Sequence, residues 1–166
     1  MDTKQQRVTH GHEGELAVFL IGMRVNRWWR VDQWLPTAMA MPKMIRELYA
    51  AKAAAESGEG KHPGFLGHRL LIGGRGPTVV QYWRTVEDVY RYASSPDQEH
   101  RPAWAAFNAR ARRATGSVGI WHETFAVPAG GHESIYVSMP PTGLAAATTV
   151  VPVGHRGESA RERIAS

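Results

Sequence analysis

The sequence contains no cysteine, which excludes disulfide bonds, thiolate metal sites and cysteine nucleophiles. Histidine, carboxylate, hydroxyl and backbone groups are the chemical tools that remain. The chain also lacks an HExxH motif, a GxSxG nucleophile elbow and a GxxxxGK[ST] phosphate loop. The eight histidines are therefore the first residues to consider for catalysis or ligation.

The sequence also has no long hydrophobic run. The longest nearly uncharged apolar stretch extends from Leu16 to Met23, which is far short of the ~20 residues needed to span a bilayer. The polar amino terminus, MDTKQQRVTHGHEGE, lacks the apolar core of a secretory signal. These absences predict a cytoplasmic protein that does not enter a membrane.

The positive charge of the chain is not concentrated in one block. The formal net charge is +5, and the 20 basic residues are scattered along the sequence without a continuous run. Three local groups of arginines stand out: Arg24, Arg27 and Arg30; Arg110, Arg112 and Arg113; and Arg156, Arg161 and Arg163. None follows an oligonucleotide-binding motif, so we expect no nucleic-acid partner.

The length of 166 residues suits one domain. We predict a single domain over residues 16–153, with flexible tails over 1–15 and 154–166. His10 and His12 fall in the first tail and are expected to be solvated. His132 opens a strand beside two glycines, and it is expected at a solvated rim.

Hydrophobic periodicity predicts an alternation of strands and helices. Strands are predicted over 16–25, 64–74, 78–85, 117–127 and 132–139, and helices over 32–57, 86–94 and 98–113. The first helix, with Asp32 as a candidate N-cap, is expected to be interrupted near Pro42. Thr85 and Asp88 resemble a capping box, and residues 73–77 predict a hairpin turn.

The order β-α-β-β-α-β with one further strand is that of the ferredoxin-like split βαβ arrangement, an α+β fold with an antiparallel sheet. The strands at 78–85 and 117–127 carry apolar residues on both faces. A second copy is the simplest cover for the outer face, since two-fold homodimers are the commonest assemblies. The sequence therefore predicts a homodimer in which two sheets pack face to face as a dimeric α/β barrel.

His100 lies near the start of a predicted helix, and the spacing places Trp104 and Phe107 on the same helical face. An imidazole among aromatic neighbours suits an axial ligand of haem iron. Because the chain has no cysteine, that ligand would be histidine or tyrosine. The alternative is a helix-start histidine that bonds to a loop carbonyl.

His122 lies in the most polar part of an otherwise apolar strand. Alternation places His122 and Glu123 on opposite faces, so they do not form an adjacent acid–base pair. His122 is therefore a candidate for the cavity between sheet and helices, and Glu123 for the dimer interface or a salt link to an arginine. The alternative is a buried polar cross-strand pair.

Four segments carry a resemblance to a known family: VVQYWRTVEDVYRYA, EHRPAWAAFNARARR, VGIWHETFAV and IYVSMPPTGLA. Together they resemble a bacterial family of uncharacterised domains labelled "monooxygenase family protein". That family is similar to the antibiotic-biosynthesis monooxygenases, haem-degrading enzymes and aldoxime dehydratases of the dimeric α/β barrel superfamily. The resemblance agrees with the predicted fold, and it implies an enzyme acting on a small organic substrate.

The resemblance to the haem-degrading enzymes implies a site for haem b. Those enzymes have a tryptophan at the end of the third strand, then a helix, then an iron-ligating histidine followed by aromatic residues. Trp83, His100 and Trp104 occur here in that order, with Phe107 one turn further on. The resemblance thus implies His100 as the iron ligand, with His122 as the alternative.

The resemblance to other members of the superfamily implies the remaining roles. Aldoxime dehydratases use a second histidine on the distal side of a haem, which implies His122 there, with Arg84 for an anionic intermediate or a propionate. Trp121 and Glu123 complete this candidate catalytic group.

Two alternatives to a haem enzyme stay open. One is a cofactor-independent monooxygenase that binds a polyphenol in a pocket of Trp83, Trp104, Asn108, Trp121 and His122. The other is a non-catalytic protein that binds haem or a hydrophobic ligand. For the enzyme, the sequence does not distinguish oxygenation from dehydration.

Overall fold

The computed structural model describes residues 7–95, 100–113 and 115–165, without the side chains of His100 and Ala165. The strands in these ranges are β1 (Arg7–His10), β2 (Leu16–Val25), β3 (Phe65–Gly73), β4 (Gly76–Trp83), β5 (Val118–Val127), β6 (Tyr136–Val137) and β7 (Val150–Pro152). The helices are α1 (Val31–Glu56), α2 (Val86–Ser94), α3 (His100–Arg113), α4 (Leu144–Ala147) and α5 (Ala160–Ala165). None of these described helices is long and apolar enough to cross a membrane.

The main sheet contains four antiparallel strands in the order β3-β4-β2-β5. Helix α1 connects β2 to β3, which are not neighbours, and α2 and α3 connect β4 to β5. This is the strand order of the split βαβ arrangement, so the predicted α+β, ferredoxin-like fold is confirmed. In the described residues the sheet is open, with β3 and β5 at its edges, and it does not close into a barrel within one chain.

The pairing of β2 with β4 defines the two sides of the main sheet. Phe19 lies opposite Gln81, and Ile21 lies opposite Val79. These residues point towards the helices, where they join or adjoin a buried core made of Ala17, Ile45, Leu48, Phe65, Val79, Trp83 and Val89. We call this the helix-facing side, and the other the outer side.

Helix α1 is continuous, so the predicted interruption near Pro42 is wrong. The helix contains both Pro36 and Pro42, and buried residues lie on its later turns. Packing of the fully buried Leu48 against the core offsets the missing proline hydrogen bond. Asp32 is not the N-cap: it lies in the first turn, and its carboxylate accepts a hydrogen bond of 2.9 Å from Arg30.

Helix α2 begins as the sequence predicts. Thr85 has an extended backbone, and its hydroxyl accepts a 3.1 Å hydrogen bond from the backbone N–H of Asp88. This bond satisfies one of the amide groups that a helix start leaves unpaired. The hairpin of β3 and β4 also follows prediction, because Gly74 in its turn adopts a positive φ of 58°.

The described parts of both predicted flexible tails contain regular structure, whereas residues 1–6 and 166 of these tails lie outside the described residues. Residues Arg7–His10 form the central strand of a second sheet with the order β6-β1-β7. The strand expected over 132–139 is limited to Tyr136–Val137, and it pairs with β1 rather than with the main sheet. Helix α5 falls within the expected carboxyl-terminal tail. Residues 7–10 therefore form a strand because they pair with distant segments, which the local sequence pattern does not reveal.

Helix α4 packs the second sheet against part of the outer side. A Cβ atom on Gly67 of β3 would lie 2.8 Å from Cβ of Ala147. Gly143, just before α4, approaches the hydroxyl of Tyr82 so closely that a Cβ would lie 2.9 Å from it. The same chain thus covers the β3 and β4 part of the outer side.

We predict that Pro42→Ala stabilises the protein by up to about 3 kcal/mol, because alanine supplies the N–H that proline lacks inside a continuous helix. The free energy of unfolding in urea measures the gain. Pro140→Ala, in a loop, is the control and should give no gain. Equal stability of wild type and Pro42→Ala would mean that the helix is broken at this residue.

Candidate functional site

The candidate site lies on the helix-facing side of the edge strand β5. His122 pairs with Ile21 of β2, and Thr124 pairs with Phe19. Because Ile21 and Phe19 point to the helices, the side chains of His122 and Thr124 point there as well. The His122 side chain therefore faces the helices.

The His122 imidazole is accessible and lies beside an aromatic ring. It is exposed, and its ring centroid is 5.7 Å from that of Phe19 at an interplanar angle of 36°. Among the described residues it makes no hydrogen bond. Both ring nitrogens are therefore available to a substrate, a proton or an iron atom.

The last turns of helix α3 lie beside the start of β5. Phe107, Arg110 and Ala111 line a small cavity together with Ser117 and Val118 at the start of β5. Helix α3 also packs against α1.

The aromatic residues of α3 form a pair. Trp104 and Phe107 are stacked with ring centroids 5.6 Å apart and an interplanar angle of 24°. Trp104 is 55% exposed, so its indole offers surface to a ligand or to another chain. The side chain of His100 lies outside the described residues, and its predicted role as iron ligand stays a prediction.

The predicted catalytic group does not assemble at one place. Trp121 pairs with Gly22 and Glu123 with Leu20, so both side chains lie on the outer side of the sheet, away from His122. A Cβ atom on Gly22 would lie 2.6 Å from the indole of Trp121. Trp121 is thus packed directly over the β2 backbone.

Arg84 and Trp83 have other contacts. Arg84 follows the end of β4 and donates to the carboxylate of Asp88 at 3.3 Å. Arg91 donates to the same buried carboxylate. Trp83 is 1% exposed, and its indole N–H donates to the side chain of Gln81 at 2.9 Å. In this arrangement Trp83 is a core residue without free surface.

A buried histidine cluster joins the two ends of the chain. His10 is fully buried, its Nδ1 lies 2.8 Å from the Ser134 hydroxyl, and its Nε2 lies 2.8 Å from Nδ1 of His132. Arg156 donates to the same Nε2 at 2.6 Å. The Nε2 of His132 donates to the Gly14 carbonyl at 2.8 Å. The expectation that His10 and His132 are solvated is therefore wrong.

The surroundings of His10 favour its neutral form. Burial, followed by the nearby charge of Arg156 and then His132, lowers the pKa of His10 to about 4. Since Arg156 donates to Nε2 of His10, the single N–H proton of the neutral His10 ring lies on Nδ1, where it faces the Ser134 hydroxyl. Within the described residues no group of three or more histidine and carboxylate side chains is arranged to hold a metal ion.

Sequence reasoning missed this cluster because its members are far apart in the chain. His10 and His132 are separated by 122 residues, and His10 and Arg156 by 146. The local signal was the branched pair Val8 and Thr9 before His10, which is typical of a strand. That signal indicates a strand but does not identify its partners.

Two comparisons with known sequences point to the same family. The family described as "Monooxygenase af470-like" matches residues 16–144. Monooxygenase af470 of Aspergillus fumigatus is 30% identical in an alignment of 144 positions, and the match covers 80% of this chain and 47% of that protein. The chain thus spans about half the length of this curated relative.

Comparison with solved structures gives the same fold. Aldoxime dehydratase OxdRE, in complex with butyraldoxime, has a TM-score of 0.59 and 17% identity, and the match covers 84% of this chain and 39% of that one. A second aldoxime dehydratase structure has a TM-score of 0.59 and 20% identity, with 90% and 43% covered. At these identities the likeness is one of fold.

The cluster around His10 predicts a loss of stability in mild acid. The folded-state pKa of about 4 is below the ordinary 6.5, so the unfolded chain binds the proton first as pH falls. The free energy of unfolding should be highest above pH 6.5 and fall by about 2.5 kcal/mol between pH 6.5 and 4. Urea denaturation across this range measures it.

The control for this prediction is a pair of single variants. His10→Gln should lower the stability at pH 7 and flatten its dependence on pH. His155→Gln, at an exposed histidine, should keep the wild-type slope. If His10→Gln kept that slope too, another group would be responsible for the acid sensitivity.

Proposed function

The chain belongs to the monooxygenase af470-like family, and on that premise we propose that it is a haem-dependent enzyme acting on a small organic substrate. The substrate would bind between α3 and the helix-facing side of β5. One observation carries the proposal: the His122 imidazole is accessible on this side, without a hydrogen bond from any described residue.

The residue types on the helix-facing side of the sheet and on α3 are those that suit a haem. An axial ligand needs an imidazole nitrogen, and the porphyrin needs apolar walls. Phe19 and Ile21 supply such a wall on the sheet, and the stacked pair of Trp104 and Phe107 supplies aromatic surface on α3. When bound, haem b would supply an iron centre able to support oxygenation or dehydration.

We assign the iron ligand to His100, on the strength of its place at the start of α3 and the family resemblance, with His122 as the alternative. If His100 holds the iron, His122 is free to act on the substrate. A neutral imidazole can take a proton from a substrate hydroxyl and return it to a leaving group. Thr124, on the same side of β5, can orient such a hydroxyl through its own oxygen.

The other predicted catalytic residues receive different roles in this proposal. Arg84 positions Asp88 at the start of α2 rather than touching the substrate. Glu123 and Trp121 face the outer side, where Glu123 would serve contacts between subunits. In this proposal His122 alone of these residues acts as the acid and base.

We also propose that the protein is a homodimer formed through the outer side. Phe125 is 50% exposed there, and Val18 and Leu20 of β2 lie beside it in the register. Helix α4 covers the outer side near β3 and β4 but leaves this part open. A second copy packed on it would bury a contiguous apolar surface.

The first test is hemin binding. Wild-type protein titrated with hemin should develop a sharp Soret band, which His100→Ala should abolish. His122→Ala should keep the band but lower turnover by about a hundredfold, with butyraldoxime and a polyphenol under air as the two probe substrates. His155→Ala is the matched control and should change neither readout. Circular dichroism checks that each variant is folded.

Other outcomes would change the assignment. Loss of the band in His122→Ala but not in His100→Ala would make His122 the ligand. The absence of a Soret band in the wild type, together with turnover of the polyphenol, would refute haem dependence and leave the cofactor-independent monooxygenase. A band without turnover of any probe would favour a haem-binding protein.

The second test addresses the dimer. Sedimentation velocity at micromolar concentration should give twice the mass of one chain for the wild type. Phe125→Lys should shift the mass to that of a monomer, because it buries a charge in the interface. Tyr90→Lys, at an equally exposed aromatic residue on α2, should remain a dimer. A monomeric wild type would rule out the proposed assembly.

A further inference from the structure

A cleft opens on the outer side of the main sheet, at the hairpin end of β3 and β4. Its lining includes Arg24 of β2, Arg75 of the hairpin turn, Thr78 of β4 and Trp121 of β5. Its volume is about 260 Å³, which suits a small organic molecule. The cleft lies on the opposite side of the sheet from His122, so it is separate from the proposed active site.

Backbone contacts fix the turn that carries Arg75. The N–H of Val25 donates to the Arg75 carbonyl at 2.7 Å, which holds the hairpin turn to the end of β2. Gly76 lies so close to Met23 that a Cβ would be 2.2 Å from the Met23 carbonyl oxygen. The hairpin turn and the end of β2, which form two walls of the cleft, are therefore held against each other without a ligand.

The arginine side chains bring positive charge to this cleft. The Nε of Arg24 donates to the neutral side-chain amide of Asn26 at 3.0 Å, and Asn26 in turn donates to the Gly116 carbonyl at 3.1 Å. Among the described residues neither Arg24 nor Arg75 has a salt bridge. Asn26 thus orients the Arg24 side chain, and within the described residues no carboxylate neutralises the charge of Arg24 or of Arg75.

The third wall is aromatic. The Trp121 indole lies on the backbone of Gly22, and 38% of the residue stays exposed. A flat ring can stack on this indole while guanidinium groups take up an oxyanion beside it. The Thr78 hydroxyl adds a further donor at the cleft.

We propose that this cleft binds a small organic anion that carries a planar ring next to a carboxylate or phosphate group. Arg24 and Arg75 bind the oxyanion, and Trp121 stacks on the ring. The site is formed by one chain, and it needs neither haem nor the dimer. It also gives a role to Arg24, a member of an arginine group that the proposed enzymatic function does not use.

Isothermal titration calorimetry with 2-naphthoate, its neutral analogue 2-naphthamide, and inorganic phosphate tests this proposal. Naphthoate should bind at low salt, and naphthamide about tenfold more weakly. Arg24→Gln and Arg75→Gln should each raise the Kd of naphthoate about fivefold. Trp121→Leu should weaken naphthoate binding while leaving that of phosphate unchanged.

The matched control is Arg112→Gln, which removes an exposed arginine of α3 and should leave the Kd of naphthoate unchanged. The Phe125→Lys variant should also bind like the wild type, because the cleft belongs to a single chain. Equal affinity for naphthoate and naphthamide would overturn the anion site. If Arg112→Gln weakened naphthoate binding as much as Arg24→Gln and Arg75→Gln do, the binding would reflect general charge attraction, and the proposed site would be overturned as well.

Discussion

The pairing of β2 with β5 along ten residues of each strand, from Leu16 opposite Val127 to Val25 opposite Val118, is the constraint on which the rest of the structure depends. In a strand, neighbouring side chains point to opposite sides, and a shift of one residue would exchange the two sides completely. This register places His122 beside the helices and sends Trp121 and Glu123 to the outer side. The side chains of these three consecutive residues are therefore separated by the thickness of the sheet.

The features that could be predicted from the sequence are those with local causes. The hairpin follows from a short turn with glycine at positive φ, and the start of α2 follows from the Thr85 hydroxyl and the Asp88 amide. The sides of β5 follow from alternation alone. Each depends on residues within a few positions of one another, where propensity and geometry act together.

The features that were missed depend on contacts between distant residues. Nothing near His10 indicates that Ser134 and Arg156 surround it, and the continuity of α1 through Pro42 depends on packing of its later turns. Arg84 was assigned to the site by analogy, but Asp88 lies one helical turn away and binds it. Burying the Asp88 carboxylate without a paired charge would be costly, so Arg84 binds to it rather than extending into an open cavity.

The buried cluster joins described segments that lie near the two ends of the chain. Arg7 pairs with Glu158, and the buried Arg163 donates to Glu133 at 3.0 Å, so that charged pairs also link β1 and the segment before β6 to the carboxyl-terminal segment. These contacts join β1, the segment before β6, and the carboxyl-terminal segment into one layer, which α4 places against Gly67 and Tyr82. The layer occupies the β3 and β4 part of the outer side. On the outer side of the main sheet, the β5 part and the hairpin end are then left open to other molecules. The proposed dimer contact and the proposed anion cleft therefore lie side by side on this surface. His122 lies on the opposite, helix-facing side.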